Sequence, residues 1–547
     1  MNAFIRKHPR TLTALVFVVL FLIGLLTVPD YGMYFDQQSE AIILRENLKE
    51  YAFQLLGQDS EAIRYYDGIS LPRITETPEI DHGLAPYYPL SPFMTMMDDD
   101  QAGLFRLWNG LSWCWFMAGV LALYGLCRKL GMGRVAALAG AMLLYLSPRF
   151  FAEGHYNNKD MVLLSLALLV MYTGVCLWEK PTLPRGLIFA LFGALCANTK
   201  IIGVCIFGVM GLGALILLTA RRRWTKQSIL AAIGTVLGFA GFYVLLTPAM
   251  WSDPAGYFTY LIQNATGFTR WDNFILFRGS LFQHSTNPLP FYYLPYMMLV
   301  TLPVYVTALC FTGQLAVLWY AWKHRKGLLS NQTAMLLLCA TLIWLAPLGY
   351  AILSNPVVYN GWRHFYFVFA GLAVLGAWGL ECLIRFLRKH GKRWQQITAA
   401  VLACACLVTS AAGIAINHPY QYAYYNALGH WLCPVPLEEG MELDYWCVSV
   451  VDGLEAAVDQ LEPDRKLTYA SRDELTQLAL SYYDVALPES LEGKLRLKDP
   501  SSNYNDLIII NPMYHLMYGT YMPSWHELLL EIESYGNTIL QVYRKGM

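Results

Sequence analysis

Two carboxylates one helical turn apart, Asp36 and Glu40, open the chemistry of this chain. They stand in Met33-Tyr34-Phe35-Asp36-Gln37-Gln38-Ser39-Glu40, just past an apolar run. A carboxylate there can take a proton from a hydroxyl arriving at the membrane edge. It can equally cap the helix that follows. A second group is denser: Arg149, Glu153, His155, Lys159 and Asp160 crowd into the polar stretch 147–160, between two strongly apolar runs. Ionisable groups at the rim of a membrane bundle are costly, so they pair, line a polar cavity or handle a charged ligand. Glu153, His155 and Asp160 could together hold a divalent cation (Mg, Mn or Zn) through oxygen and imidazole ligands. Their spacing does not demand a metal, and no other pattern calls for a cofactor. Asp160 can instead cap the next helix, and Arg149 can pair with Glu153.

Cations gather in the same kind of segment: Lys159, Lys200, Arg270, Arg278, His284, Arg363 and His364. A phosphate leaving group would need such groups to offset its developing charge. Snorkelling to lipid headgroups is the plainer role. Arg363 and His364 begin a membrane run in Tyr359-Asn360-Gly361-Trp362-Arg363-His364-Phe365-Tyr366, at the end where the positive-inside bias disfavours them. That placement points to an anionic partner. Asp98-Asp99-Asp100 reads as a solvated helix cap, and Asn264-Ala265-Thr266 as a formal glycosylation sequon.

The elements that must position these residues are membrane helices. The chain has 547 residues, of which 56% are hydrophobic and only 14% charged, against roughly 25% charged in soluble domains. Its formal net charge is zero, which removes any whole-chain case for nucleic acid. Apolar runs at 11–28, 104–127, 135–149, 161–178, 186–198, 201–220, 228–248, 291–322, 333–353, 363–384 and 396–416 predict about eleven spans. Six basic clusters fall on one side if the N-terminus is cytoplasmic. They are Arg6/Lys7/Arg10, Arg128/Lys129/Arg134, Lys180/Arg185, Arg221/Arg222/Arg223/Lys226, Lys323/Arg325/Lys326 and the group from Arg385 to Arg393. Pro29-Asp30-Tyr31-Gly32 is no signal-peptidase site, so the first run is a retained helix.

The expected divisions are a first helix over 1–28, an outer loop over 29–103, a helical core over 104–416 and an outer tail over 417–547. Within the loop, Leu44, Leu48, Tyr51, Ala52 and Leu55 repeat at helical spacing, which predicts a helix flat on the membrane. The segment 249–290 is aromatic, with Trp251, Tyr257, Tyr260, Trp271, Phe274 and Phe282. The tail carries strand-like runs at 467–470 and 507–510, with helices expected at 449–461, 472–482 and near 523–534, a small α/β domain. No CxxC pair occurs, and Cys433 and Cys447 of the tail read as free thiols, a pair between them being the alternative if the tail is oxidised.

The order of these pieces resembles the integral-membrane GT-C glycosyltransferases of the glycosyltransferase family 39 kind, the bacterial subgroup of the protein O-mannosyltransferases and aminoarabinose transferases. Four segments carry the resemblance. They are Tyr34-Phe35-Asp36-Gln37; Ser147-Pro148-Arg149-Phe150 through Asn158-Lys159-Asp160; Arg278-Gly279-Ser280 through Pro290-Phe291-Tyr292-Tyr293; and 359–366 with the later Glu442-Leu443-Asp444-Tyr445-Trp446. Together they span about 10–450. The resemblance implies a GT-C-like bundle that moves a sugar from a polyprenyl phosphate to a lipid, glycan or protein acceptor. Transfer would occur on the outer face of a bacterial inner membrane, with inversion. It places Asp36 as the catalytic aspartate and Asp160 as a second acidic site. Lys159, Arg363 and His364 would meet the donor phosphate. Many relatives read Asp-Glu where this chain reads Asp36-Gln37, so a changed specificity is expected if that glutamate touches the acceptor or a metal. The rival class is a transporter or flippase of a lipid-linked or anionic substrate, which would want charges at mid-membrane and often internal repeats.

Overall fold

A computed structural model describes residues 9–34, 36–97, 99–267, 271–484, 486–488, 490–501, 504–518, 522 and 524–546. Arg6, Lys7, Phe35, Asp98 and Arg270, all named above, lie outside the described residues.

Helix α1 (Pro9–Thr27) leads through a short turn to α2 (Gln37–Leu56). The membrane core follows: α3 (Gln101–Lys129), α4 (Arg134–Tyr145), α5 (Pro148–Tyr156), α6 (Asp160–Glu179), α7 (Leu183–Thr199), α8 (Ile202–Ala220) and α9 (Lys226–Leu246). After α10 (Pro254–Thr266) and a small hairpin of β1 (Ile275–Phe277) and β2 (Ser280–Phe282) come α11 (Tyr293–Thr301), α12 (Val304–Lys323), α13 (Gln332–Ser354), α14 (Val368–His390) and α15 (Arg393–Ile416). Nine of the described helices are long and apolar enough to cross a membrane. A tenth span exists if α4 and α5, bent by 68°, count as one, and α7 is a shorter apolar helix of 17 residues. The expected eleven therefore includes one bent and one short member.

Burial sorts the helices into layers. In α6 and α14 most of the apolar window is buried, 83% and 72%, whereas α1 and α15 bury only 17% and 11%. The first pair forms the centre and the second faces lipid. α12 and α14 approach to backbone contact at Gly313 and Gly379; a Cβ on Gly313 would fall 1.8 Å from the Leu375 carbonyl oxygen. Small residues at such crossings allow the close packing that drives helix association in lipid.

Prolines set two helix boundaries. Pro148 at the first turn of α5 restarts the chain at a new angle, because its fixed φ suits a helix start and it has no N–H to give the preceding turn. The polar stretch 147–160 is thus mostly helix, and every residue from Pro148 to Tyr156 is buried. The predicted run 291–322 divides between α11 and α12, where Leu302 is extended and Pro303 follows.

The tail folds as a mixed sheet with strand order β4-β3-β5-β7-β6. Its strands are β3 (Leu467–Ser471), β4 (Leu495–Leu497), β5 (Leu507–Ile510), β6 (His526–Ser534) and β7 (Asn537–Lys545). β3 runs parallel to β4 and β5, while β7 is antiparallel to β5 and β6. Helices α16 (Ser449–Leu461) and α17 (Glu474–Tyr483) lie where expected. The third expected helix is β6 instead. Tyr535 and Gly536, at φ of +50° and +72°, make a two-residue hairpin turn between Ser534 and Asn537. Pairing with β7 overrides the helical propensity of the Glu- and Leu-rich segment. Cys433 and Cys447 are both free and buried.

Candidate active site

Asp36 occupies the N-cap position of α2, yet its side chain makes no capping bond. Its carboxylate is directed at Arg363, with Oδ2 3.4 Å from Nη1, and the side chain keeps 35% of its surface open. It borders a cavity of about 1240 Å³, which Glu40, Lys159, Asp160, Lys200 and Arg363 also line. The chain turn after α1, the break between α5 and α6, the link from α7 to α8 and the start of α14 thus converge on one space. Each site segment is a helix end, where backbone groups lack intrahelical partners and polar side chains concentrate.

Arg363 is 5% exposed and held on several sides. Its guanidinium carbon lies 4.6, 4.5 and 5.0 Å from the ring centres of Tyr445, Trp446 and Tyr359. Nη2 donates to the Tyr445 hydroxyl at 2.7 Å, and Nε is buried without an acceptor. The tail domain therefore builds half of the arginine's cage. Asp444 fixes the turn that presents Tyr445 and Trp446: its carboxylate accepts from the Val448 and Ser449 amides at 3.0 and 3.2 Å and from Ser449 Oγ at 2.5 Å. Glu442 accepts from the Asn360 amide and ties the same segment to the loop before Arg363.

Lys200 Nζ sits 2.5 Å from Asp160 Oδ1. Lys159 touches the imidazole of His82, whose Nε2 also lies 3.1 Å from Glu40 and whose Nδ1 lies 2.9 Å from Glu79. Protons in this cluster are shared rather than owned. Burial works to raise the Glu40 carboxyl, but His82 and Lys159 outweigh it and hold it down to about 2. Burial and the neighbouring Lys200 bring the Lys159 ammonium down to about 8, with Glu40 opposing. For Asp36, burial raises the carboxyl above its ordinary value, Arg363 pulls it back, and Glu40 and Asp160 push it up again. Burial, Lys200, Arg363 and Lys159 all drive the His364 imidazole well below its ordinary value, so it lines the cavity as a neutral ring.

The expected divalent-cation set is not assembled. Glu153 is fully buried: it accepts from the Tyr366 hydroxyl, from Trp446 Nε1 at 3.2 Å and from Asn157 Nδ2 at 2.9 Å. His155 is also fully buried, stacked between Trp113 and Tyr31 at 4.2 Å each. Its Nδ1 meets the Phe151 carbonyl at 2.8 Å and its Nε2 the Gly24 carbonyl at 3.0 Å. Neither residue borders the cavity with Asp160. Among the described residues no group of three or more His, Cys, Asp or Glu is placed to hold a metal ion. Glu153 and His155 are buried structural nodes, and Arg149 is another, packed on Tyr422 and Tyr425 at 4.5 Å.

Gln37 also leaves the site. It is fully buried, donates to Asn109 Oδ1 at 3.0 Å, and accepts from the Tyr34 amide at 3.3 Å. Gln37 does not border the cavity with Asp36, because its side chain is buried in the bundle. Of the aromatic segment, Trp271 and Phe274 reach the cavity; Trp251, Tyr257, Tyr260 and Phe282 do not border it. His82 is a cavity residue that the sequence reading did not name, while Lys200 and the pair Tyr445–Trp446, named there, also line it.

The cavity has a second, apolar arm. Ile202, Ile206 and Val209 of α8 face Leu342, Ile343 and Tyr350 of α13 across it. Leu475, Leu478 and Tyr514 of the tail border it as well.

A polytopic helical membrane protein with paired carboxylates and cations at one membrane edge is the class these features define. A family model described as dolichyl-phosphate-mannose-protein mannosyltransferase matches residues 82–251. That stretch contains His82, Lys159, Asp160 and Lys200, and the match agrees with the resemblance carried by the motifs. Among solved structures, ArnT from Cupriavidus metallidurans in the apo state is 11% identical, with 98% of each chain covered and a TM-score of 0.47. The same protein bound to undecaprenyl phosphate is 12% identical over 97% of each chain, with a TM-score of 0.42. The mycobacterial arabinofuranosyltransferase AftD is 12% identical over 97% of this chain and 41% of its own, with a TM-score of 0.39. No curated protein matches.

Proposed function

We propose that this protein is a membrane glycosyltransferase that moves a sugar from a polyprenyl phosphate, undecaprenyl phosphate in a bacterial inner membrane, to a lipid, glycan or protein hydroxyl. The N-terminus is cytoplasmic and the tail domain outside. One observation carries the reading. A partly open carboxylate, Asp36, shares a cavity with Lys159, Lys200 and Arg363, and the same cavity extends as an apolar cleft between α8 and α13. A phosphate fits the first part and an isoprenoid chain the second.

In the proposed step the acceptor oxygen bonds to the anomeric carbon from the face opposite the phosphate. Its proton passes to Asp36. The bond from that carbon to the phosphate oxygen breaks, and its electron pair leaves with the polyprenyl phosphate. A single displacement inverts the centre. Lys159, Lys200 and Arg363 offset the charge that develops on the leaving oxygen. His364, being neutral, offers an N–H rather than a charge. Asp160 acts by holding Lys200. Trp271 and Phe274 offer flat faces to a sugar ring.

A flippase would need a polar route through the bundle. Here the arm that enters between α8 and α13 is apolar, and the ionisable groups stay at one end. The test is mass spectrometry of envelope glycans and polyprenyl-linked sugars from cells with and without the protein. Loss of one glycan with accumulation of one polyprenyl-linked sugar is expected. Unchanged profiles of both would contradict the reading.

A further inference from the structure

Among the described residues Arg363 is paired with Asp36 and Lys200 with Asp160, and Lys159 touches His82, which itself meets Glu40. An incoming phosphate therefore competes with these partners for the described cations. The three pairings are not equally easy to give up. Lys200 and Asp160 stand at 2.5 Å, and the Lys159 cluster is closed by His82, Glu40 and Glu79. Arg363 and Asp36 stand at 3.4 Å, longer than the usual 2.7–2.9 Å of a charge-assisted bond. Arg363 is fixed by Tyr445 and three rings and keeps a buried Nε without an acceptor. Asp36 has no capping bond to restrain it and is partly open to the cavity.

Resting on the donor assignment above, we propose that the donor phosphate displaces Asp36 from Arg363, so that donor binding itself releases the carboxylate that takes the acceptor's proton. Arg363 is then a gate as well as a phosphate ligand. The base is masked in the empty enzyme and unmasked only when a leaving group is in place, so the acceptor's proton has a taker only in the donor-bound enzyme.

A masking pair has a consequence that a plain catalytic base lacks. Removing Asp36 must improve donor binding, because the phosphate no longer competes for Arg363. The experiment measures the affinity of purified full-length protein for undecaprenyl phosphate in nanodiscs, comparing wild type with Asp36→Asn, Arg363→Gln and the double variant. Asp36→Asn is expected to bind about three- to tenfold more tightly, the range of a partly exposed ion pair, while Arg363→Gln cancels that gain. Unchanged or weaker binding by Asp36→Asn overturns the proposal. So does an equal gain in the Arg363→Gln background, which would reflect bulk charge. Binding by none of the four overturns the donor assignment and the gate with it. A second readout needs no variant. Labelling of Asp36 by an apolar carbodiimide, followed by peptide mass spectrometry, is expected to rise when undecaprenyl phosphate is added; protection of Asp36 instead would contradict the gate.

Discussion

Asp36 and Lys159 set the pH range over which the site can work, and they act in opposite directions. A general base must be ionised. Burial holds the Asp36 carboxyl above its ordinary value, so the rate is expected to fall as pH drops through a point above about 4. Lys159 must be charged to meet phosphate, and its ammonium is held at about 8. Transfer is therefore expected to fall again as pH rises through that value. Initial rates across pH should trace a bell, and Lys159→Arg, whose guanidinium keeps its charge, should push the alkaline limb upward. An unmoved alkaline limb would remove Lys159 from the phosphate site. Gln37 yields a prediction of the other kind. Its Nε2 donates to Asn109 and the Phe105 carbonyl while its Oε1 accepts from the Tyr34 amide, so Gln37→Glu sets a buried carboxylate oxygen against two acceptors. A loss of about 3 kcal/mol is expected, read as a lower unfolding midpoint in detergent. A gain of a new acceptor with unchanged stability would restore the specificity role for this position. Asp36 and Arg363 were legible in the sequence because charged residues beside apolar runs are conspicuous. The exclusion of Gln37, Glu153 and His155 was not, because spacing along the chain says nothing about which side of a helix end meets the cavity.

The elements that carry the site are helix ends, at the α5–α6 break and the α7–α8 link, and two further helix boundaries are set by prolines. Pro148 separates α4 from α5, and Pro303 separates α11 from α12. Both prolines are plain in the sequence. Hydropathy alone runs straight through the second and ends early at the first, since a short buried helix with Arg, Glu and His on it has the composition of a loop. The hairpin of β6 and β7 was hidden for a related reason: a Leu- and Glu-rich strand has helical propensity, and the only local signal against it is Gly536. The central crossing of α12 and α14 depends on Gly313, whose added Cβ would strike the Leu375 carbonyl. Gly313→Leu is expected to cost at least about 3 kcal/mol and to lower the unfolding midpoint markedly. A variant with wild-type stability would show that this crossing can open without penalty.

At the scale of the whole molecule, the membrane bundle and the tail domain meet at Arg363. The bundle supplies the arginine and the apolar cleft; the tail supplies Tyr445 and Trp446. The sequence separates Arg363 from Tyr445 by 82 residues, and spacing over that distance gives no sign that they meet. Folding brings them into one wall. Tyr445→Phe removes the 2.7 Å bond to Arg363 and leaves the ring in place. It is expected to weaken undecaprenyl phosphate binding about tenfold without changing the unfolding midpoint. Unaltered affinity would make the tail a bystander to the donor. The most direct measurement is sugar transfer from labelled polyprenyl-phosphate sugars in membranes, wild type against Asp36→Asn. A base at Asp36 predicts transfer by the wild type and a loss of about a hundredfold or more in the variant. Undiminished transfer by Asp36→Asn would contradict it.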